Sequence, residues 1–185
     1  QRTLQAERDN LRAIMTSSPV AIMVLDGEAC VVSANPAADR LFHRDGKPVE
    51  GIPCGDYLGC RNGGERGGVC GGAESCAACA LRAGVREVLA TRRGLYEREA
   101  EQTLFIDGAE QTFCIRFSME PVVFAGAPHV MVAMSDVTDH KRAERALRES
   151  EQRYRVLADA GQGLIWTTGV DKACDFMNQT CVAFT

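Results

Sequence analysis

Between residues 46 and 79 the chain is rich in glycine and cysteine and has little regular hydrophobic patterning, which restricts the folds open to it. Residues 46–72 read as irregular, and a structureless loop of that length is uncommon inside a compact domain. Five of the nine cysteines lie within the 26 positions from Cys54 to Cys79. We therefore expect this stretch to carry a function or to contain an internal staple.

Hydrophobic patterning before this stretch predicts a β-hairpin followed by a short helix. Residues 21–25 form an apolar run, residues 30–33 read as the returning strand, and Asp26-Gly27 between them is a strong turn signal. Asn35 precedes a proline that suits the first position of a helix.

After the stretch, the pattern predicts one long helix and three strands. Ser75 is a suitable N-cap for a helix over 75–93. The strands are expected over 95–106, 111–124 and 129–137. The helix has an apolar stripe of Leu81, Val85, Val88 and Leu89. Two strands, helices and three strands in this order predict an α+β domain with a five-stranded antiparallel sheet and flanking helices.

A helix is predicted before the domain and another after it. Residues 1–15 read as the tail of an amphipathic helix, and residues 139–158 as a linker helix. The linker has the a/d rhythm of a two-stranded coiled coil, with a solvated surface helix as the alternative. The rhythm is carried by Ala143, Leu147, Ser150, Tyr154 and Leu157.

A weak internal repeat connects the two ends. Residues 13–42 align without gaps on residues 156–185 at an offset of 143, which pairs Asn35 with Asn178. We interpret residues 159–185 as the truncated start of a second copy of the domain.

Composition excludes several classes of function. The net charge of -4 over 185 residues argues against a nucleic-acid-binding domain, which usually has a basic face. No apolar run reaches the roughly 20 residues of a membrane span, so we expect no membrane contact by this segment. Clustered cysteines without a secretion signal indicate the reducing cytosol, and we expect a cytoplasmic protein.

Three segments together resemble a PAS sensor domain of a bacterial multi-PAS signalling protein, of the sensor histidine kinase type. They are SSPVAIMVLDGEACVVSANPAADRLF, MVAMSDVTDHKRAERAL and the restart SEQRYRVLADAGQGLIW. The resemblance covers residues 12–138 and begins again near residue 151. It implies a PAS domain over 16–138, with a cysteine-rich loop over 54–79, a preceding signalling helix and a following coiled-coil linker.

The same resemblance implies roles for the end of the last strand and for partners. Asp136-Val137-Thr138 is similar to the junction by which PAS domains pass into a signalling helix, so Asp136 and Thr138 are the expected signal-relay residues. Thr138 or Asp139 also suits a helix N-cap. A homodimer is implied, with a kinase or other output domain downstream in the same polypeptide. The fragment itself is expected to have no enzymatic activity.

The cysteines form the candidate site. Cys76 and Cys79 are a C-x2-C pair at the start of the long helix, where the positive helix end stabilises thiolates, the form that binds metal. The glycine loop before them carries Cys60 and Cys70. Some PAS domains of sensor kinases are similar here, and on that pattern these four cysteines match a metal site while Cys54 is extra.

Several chemistries stay open for this site. A tetrathiolate centre would hold an iron–sulfur cluster or zinc, because the single close pair and irregular spacing suit either. Reversible thiol–disulfide chemistry and free thiols are the alternatives, and a thiol oxidoreductase pair lacks its usual βαβ context. The PAS photoreceptor run Asn-Cys-Arg-Phe-Leu-Gln is absent, and the long helix has no histidine. We therefore expect neither photoactive flavin nor haem.

Two functions follow as hypotheses. The first is a sensory module that detects redox state, oxygen or metal through the four cysteines and signals through the C-terminal helix. The second is a small-ligand-binding or dimerisation module whose cysteines form only a structural zinc site or disulfides.

Overall fold

The computed structural model describes residues 2–44, 48–63, 70–161 and 163–184. It divides into two compact units, a first unit up to Thr138 and a second from Asp139. Parts of the glycine-rich loop, residues 46, 47 and 64–69, and the terminal residues 1 and 185 lie outside the described residues.

The first unit contains six strands and four α-helices in the described residues. In chain order they are α1 (Arg2–Ser17), β1 (Ala21–Leu25), β2 (Cys30–Ala34), α2 (Pro36–Leu41), β3 (Ile52–Pro53), α3 (Cys54–Leu58), a 3-10 turn (Glu74–Ala78), α4 (Ala80–Thr91), β4 (Leu95–Ile106), β5 (Ala109–Phe124) and β6 (Ala127–Asp136). The strands form one antiparallel sheet in the order β3-β2-β1-β6-β5-β4. The predicted α+β class and the five long strands are confirmed, and β3 adds a two-residue edge.

The core lies between one face of this sheet and the helices. Successive residues of a strand point to opposite faces, so alternate residues of β5 and β6 are buried, whereas β1 is buried along most of its length. The most buried of them are Met23, Met119, Val130 and Val132. Helix α4 closes the core with three residues of its predicted stripe, Leu81, Val85 and Val88, which are at most 3% exposed.

Helix α4 begins later than the sequence predicted. Ser75 lies inside the 3-10 turn and is not an N-cap, and Cys79 occupies the N-cap position with extended backbone angles. The backbone N–H of Cys79 donates to the carbonyl of Cys76 at 3.2 Å. This tight bond closes one turn before α4 starts, which separates Ser75 from the helix.

Asn35 caps α2 and also joins three other segments. It is 2% exposed, and its side-chain oxygen accepts the N–H groups of Ala38 and Ile22. Its amide donates to the carbonyls of Met15, in α1, and Val20. The helix start predicted from Asn35-Pro36 is therefore confirmed, and the Asn35 side chain also links α1 to the sheet.

The second unit contains α5 (Thr138–Ala160, from Asp139 onward), β7 (Trp166–Thr168), β8 (Cys174–Met177) and α6 (Gln179–Phe184). Its fully buried Asn178 repeats the bonding of Asn35, with every partner at the offset of 143 residues. The partners are the N–H groups of Ile165 and Cys181 and the carbonyls of Ala158 and Gly163. The internal repeat thus extends from sequence to hydrogen bonding.

Within the described residues, every helix is too short or too polar to cross a membrane.

Candidate cysteine site

Helix α3 and the turn after it place two cysteines beside the sheet. Cys54 begins α3 and is 2% exposed. Gly59 ends the helix with φ 72°, and a Cβ there would meet the Phe105 carbonyl at 2.9 Å, so glycine is required. The Phe105 N–H donates to the Gly59 carbonyl, and Cys60 forms a β-bridge with Leu104. Cys60 is therefore held against β4.

Gly55 leaves room for Cys70 to lie against α3. A Cβ at Gly55 would stand 2.6 Å from the Cys70 sulfur and 3.1 Å from its Cβ, closer than real contacts allow. A glycine at this position therefore lets the loop sulfur approach the helix backbone.

Arg82, in the first turn of α4, lies on the other side of Cys70. Its Nη1 is 3.8 Å from the Cys70 sulfur and 3.5 Å from the Cys70 carbonyl oxygen. The guanidinium also packs under Gly71, where a Cβ would come within 2.9 Å of it. The loop is thus in contact with both α3 and α4.

All five cysteines of the cluster line one cavity of about 30 Å³. The four predicted site residues are brought together there: Cys60, Cys70, Cys76 and Cys79. Cys54, which the sequence comparison left outside the set, lines the same cavity. The sequence feature that could have identified Cys54 was its position six residues before Cys60, with only a short helical segment between the two.

Cys54 and Cys70 influence each other's ionisation in the cavity. The interaction with Cys70, together with burial, raises the pKa of Cys54. The same interaction lowers the pKa of Cys70, helped by the Gly55 backbone and the Arg82 cation. Burial raises the pKa of Cys60.

The donor chemistry fits a thiolate metal centre, although the closed geometry is not formed. Five sulfurs from α3, the loop and the turn before α4 line the cavity, and thiolates are the ligands that zinc and iron–sulfur clusters share. In the described part of the chain, no three His, Cys, Asp or Glu side chains are arranged to hold an ion. All nine cysteines, each of them described, are free thiols.

The two predicted relay residues are bonded to each other at the start of α5. The Asp136 carboxylate accepts the Thr138 N–H at 2.8 Å, and Thr138 is the first residue of the helix. Thr138 and Asp139 therefore lie inside the helix and not at the expected N-cap position. The Thr138 hydroxyl accepts the N–H of Cys114, in β5, at 2.9 Å.

Comparison with known proteins agrees with this architecture. Residues 9–59 match the family model of the PAS fold. An RNA-binding light-oxygen-voltage receptor is similar at 21% identity and a TM-score of 0.53, over 78% of this chain and 37% of that one. The light-oxygen-voltage protein of Rhodobacter sphaeroides is similar at 21% identity and a TM-score of 0.50, over 77% and 73%. The PAS domain of an HTR-like protein from Haloarcula marismortui is similar at 15% identity and a TM-score of 0.48, over 73% of this chain and 95% of that one.

No curated protein sequence matches the chain significantly. The first unit has the PAS fold, as the family model and the structural neighbours agree. Two of these neighbours are light-oxygen-voltage proteins, whereas the sequence predicted no photoactive flavin. A likeness at 21% identity establishes the fold, so that expectation stays a prediction.

Proposed function

We propose that the first unit is a sensory module of signal transduction that detects redox state, oxygen or metal through its cysteine cavity. The observation that carries this proposal is the convergence of five cysteines from three separate segments on one cavity. The cavity lies beside α4, whose buried stripe packs on the sheet. A change in the cavity would therefore act on α4, the packed helix next to it.

The cofactor we propose is a thiolate-bound metal centre, either zinc or an iron–sulfur cluster. Cys60, Cys70, Cys76 and Cys79 would hold it, and it would supply a centre sensitive to oxidants or to metal supply. All four of these residues line the cavity of about 30 Å³.

The output path we propose runs through the sheet to α5. Helix α4 contacts β5 through Gly84, where a Cβ would meet the Met119 side chain at 2.8 Å. Strand β5 in turn bonds to the first residue of α5 through Cys114 and Thr138. A shift of α4 would reach α5 along β5. This hypothesis requires α4 to have two positions in the unit.

The wider context belongs to the same proposal. We infer a cytoplasmic homodimer whose output domain, a histidine kinase or another effector, follows in the same polypeptide. The sensory fragment would need no enzymatic activity of its own, because the output domain would perform the reaction.

Elemental analysis and the visible spectrum of anaerobically purified protein test the cofactor. Bound iron with broad absorption near about 400 nm, typical of thiolate-ligated clusters, supports the cluster, and a colourless protein with bound zinc supports the zinc site. The C76S/C79S variant should lose the metal, while the C114S/C174S variant, altered outside the cavity, should keep it. Protein without metal in either form would contradict the proposed centre.

The sensing role has its own test. Oxidation or chelation should change the protease sensitivity of α5 in the natural chain and leave it unchanged in C76S/C79S. If bound zinc is retained but α5 does not respond to oxidant or chelator, the cysteines are a structural staple. That result would favour the alternative function, a ligand-binding or dimerisation module.

A further inference from the structure

We propose that Cys54 and Cys70 form a reversible disulfide when the cavity meets a peroxide. This inference deepens the proposed sensing function, because it concerns the same cavity, but it requires no bound metal. It gives a role to Cys54, which lies outside the four proposed ligands.

The packing of Cys70 beside α3 carries the inference. Cys54 and Cys70 line the same cavity. Gly55, next to Cys54, has no side chain, and the Cys70 sulfur lies 2.6 Å from where a Cβ at Gly55 would stand. Formation of a bond of about 2.05 Å would therefore require Cys70 to approach its neighbour across this cavity.

The local backbone allows that approach. Cys54 is fixed as the first residue of α3, whereas Cys70 lies in a turn outside any helix or strand. The other close pair differs, since Cys76 and Cys79 are joined through their backbones in the 3-10 turn. Motion of Cys70 alone would close the Cys54–Cys70 bond and leave α3 in place.

The chemistry balances with hydrogen peroxide as the oxidant. The sulfur of the partly buried Cys70 attacks one peroxide oxygen, the O–O bond breaks, and sulfenic acid forms with release of water. The Cys54 sulfur then attacks the Cys70 sulfur, the S–O bond breaks and a second water leaves. Two thiols are oxidised by two electrons and one peroxide is reduced. Cys70 is thereby withdrawn from the proposed ligand set.

Peptide mapping tests the bond directly. The reduced, metal-free full chain would be treated with equimolar hydrogen peroxide, blocked with N-ethylmaleimide and digested with trypsin. Cys54 and Cys60 fall in a peptide ending at Arg61, and the other three cysteines of the cluster fall in a peptide ending at Arg82. We expect a link between these peptides, assigned by fragmentation to Cys54 and Cys70 and removed by dithiothreitol.

Variants separate this pair from its neighbours. C60S/C76S/C79S, which keeps only Cys54 and Cys70 in the cavity, should form the link as the natural chain does, and so should C114S. C54S and C70S should lose it. If circular dichroism shows the triple variant unfolded, C54A and C60A decide: the link should vanish in the first and persist in the second.

A disulfide within the peptide that holds Cys76 and Cys79, or a link between peptides that survives in C54S, would overturn the inference. Metal content is the separate readout for the proposed function. Metal retained in a chain that never forms the Cys54–Cys70 link would overturn this inference alone, and absent metal with the link present would overturn only the metal centre.

Discussion

At the scale of single residues, a few side chains with many contacts determine how the first unit is connected. Asn35 is the clearest case, because one buried amide satisfies backbone groups from α1, from the segment before β1, from β1 and from α2. A buried polar side chain is stable only when its hydrogen bonds are made. The position therefore fixes both the residue type and the meeting point of these elements.

Replacing Asn35 with alanine should destabilise the first unit by about 3 kcal/mol, because it leaves buried N–H and carbonyl groups without partners. Urea denaturation followed by circular dichroism measures the loss. The matched control is N10A on the exposed face of α1, which should change stability by less than about 0.5 kcal/mol. Equal effects of the two variants would contradict the role given to the Asn35 network.

Gly55 gives a second prediction at this scale. Alanine in its place should force Cys70 away from α3, because the new Cβ would overlap the Cys70 sulfur. We expect faster reaction of Cys70 with a thiol reagent and a lower metal content. G27A is the control, since a Cβ there meets only Leu89 at 4.0 Å. Unchanged thiol reactivity in G55A would show that the contact is not tight.

At the scale of elements, α4 connects the cysteine cavity to the sheet. Its first turn carries Arg82 on the cavity side and Leu81 in the core. One short helix therefore contacts both the candidate sensor and the structure that would respond to it.

The core side of α4 can be tested by truncation. L81A should lower the free energy of unfolding by about 2–4 kcal/mol, as a large-to-small change at a residue only 3% exposed. R86A, on the exposed face of the same helix, is the control and should change it by less than about 0.5 kcal/mol. A loss in L81A no larger than in R86A would mean that α4 does not pack as described.

The junction between β5 and α5 gives a further prediction. T138V removes the hydroxyl that accepts the Cys114 N–H, so this amide should exchange with deuterium faster and stability should fall by about 1 kcal/mol. T138S keeps the hydroxyl and should restore slow exchange. Exchange in T138V as slow as in the natural chain would contradict the role given to the hydroxyl.

At the scale of the whole molecule, α5 is the element expected to join two copies of the chain. Leu147, Tyr154 and Leu157 of its predicted seam are more than 60% exposed. Charged pairs such as Glu144 with Arg148, 3.1 Å apart, support the helix itself but add only a few tenths of a kcal/mol. The exposed apolar seam is what a partner helix would cover.

Charge placed on this seam should therefore prevent dimerisation. L147E/L157E should shift the sedimentation coefficient to that of a monomer, because the seam would then carry like charges. Q152E, at the outward position of the same heptad, should leave the association unchanged. A double variant that sediments like the natural chain would show that α5 is not the dimer contact.

Sequence patterning predicted the parts of this molecule that depend on local chemistry. Asn35-Pro36 specified a helix start, and the strand character of residues 111–124 and 129–137 specified β5 and β6. It did not predict the start of α4, because a 3-10 turn around Cys76 displaced the expected cap. Nor did it place Cys54 in the site, since the position of Cys70 beside it depends on the missing side chain of Gly55.

The repeated asparagine shows that one way of connecting a helix to the strands after it is built twice in this chain. Asn178 bonds to the Ala158 carbonyl near the end of α5, just as Asn35 bonds to Met15 near the end of α1. In each copy a single buried side chain therefore holds the end of a helix to the strands that follow it.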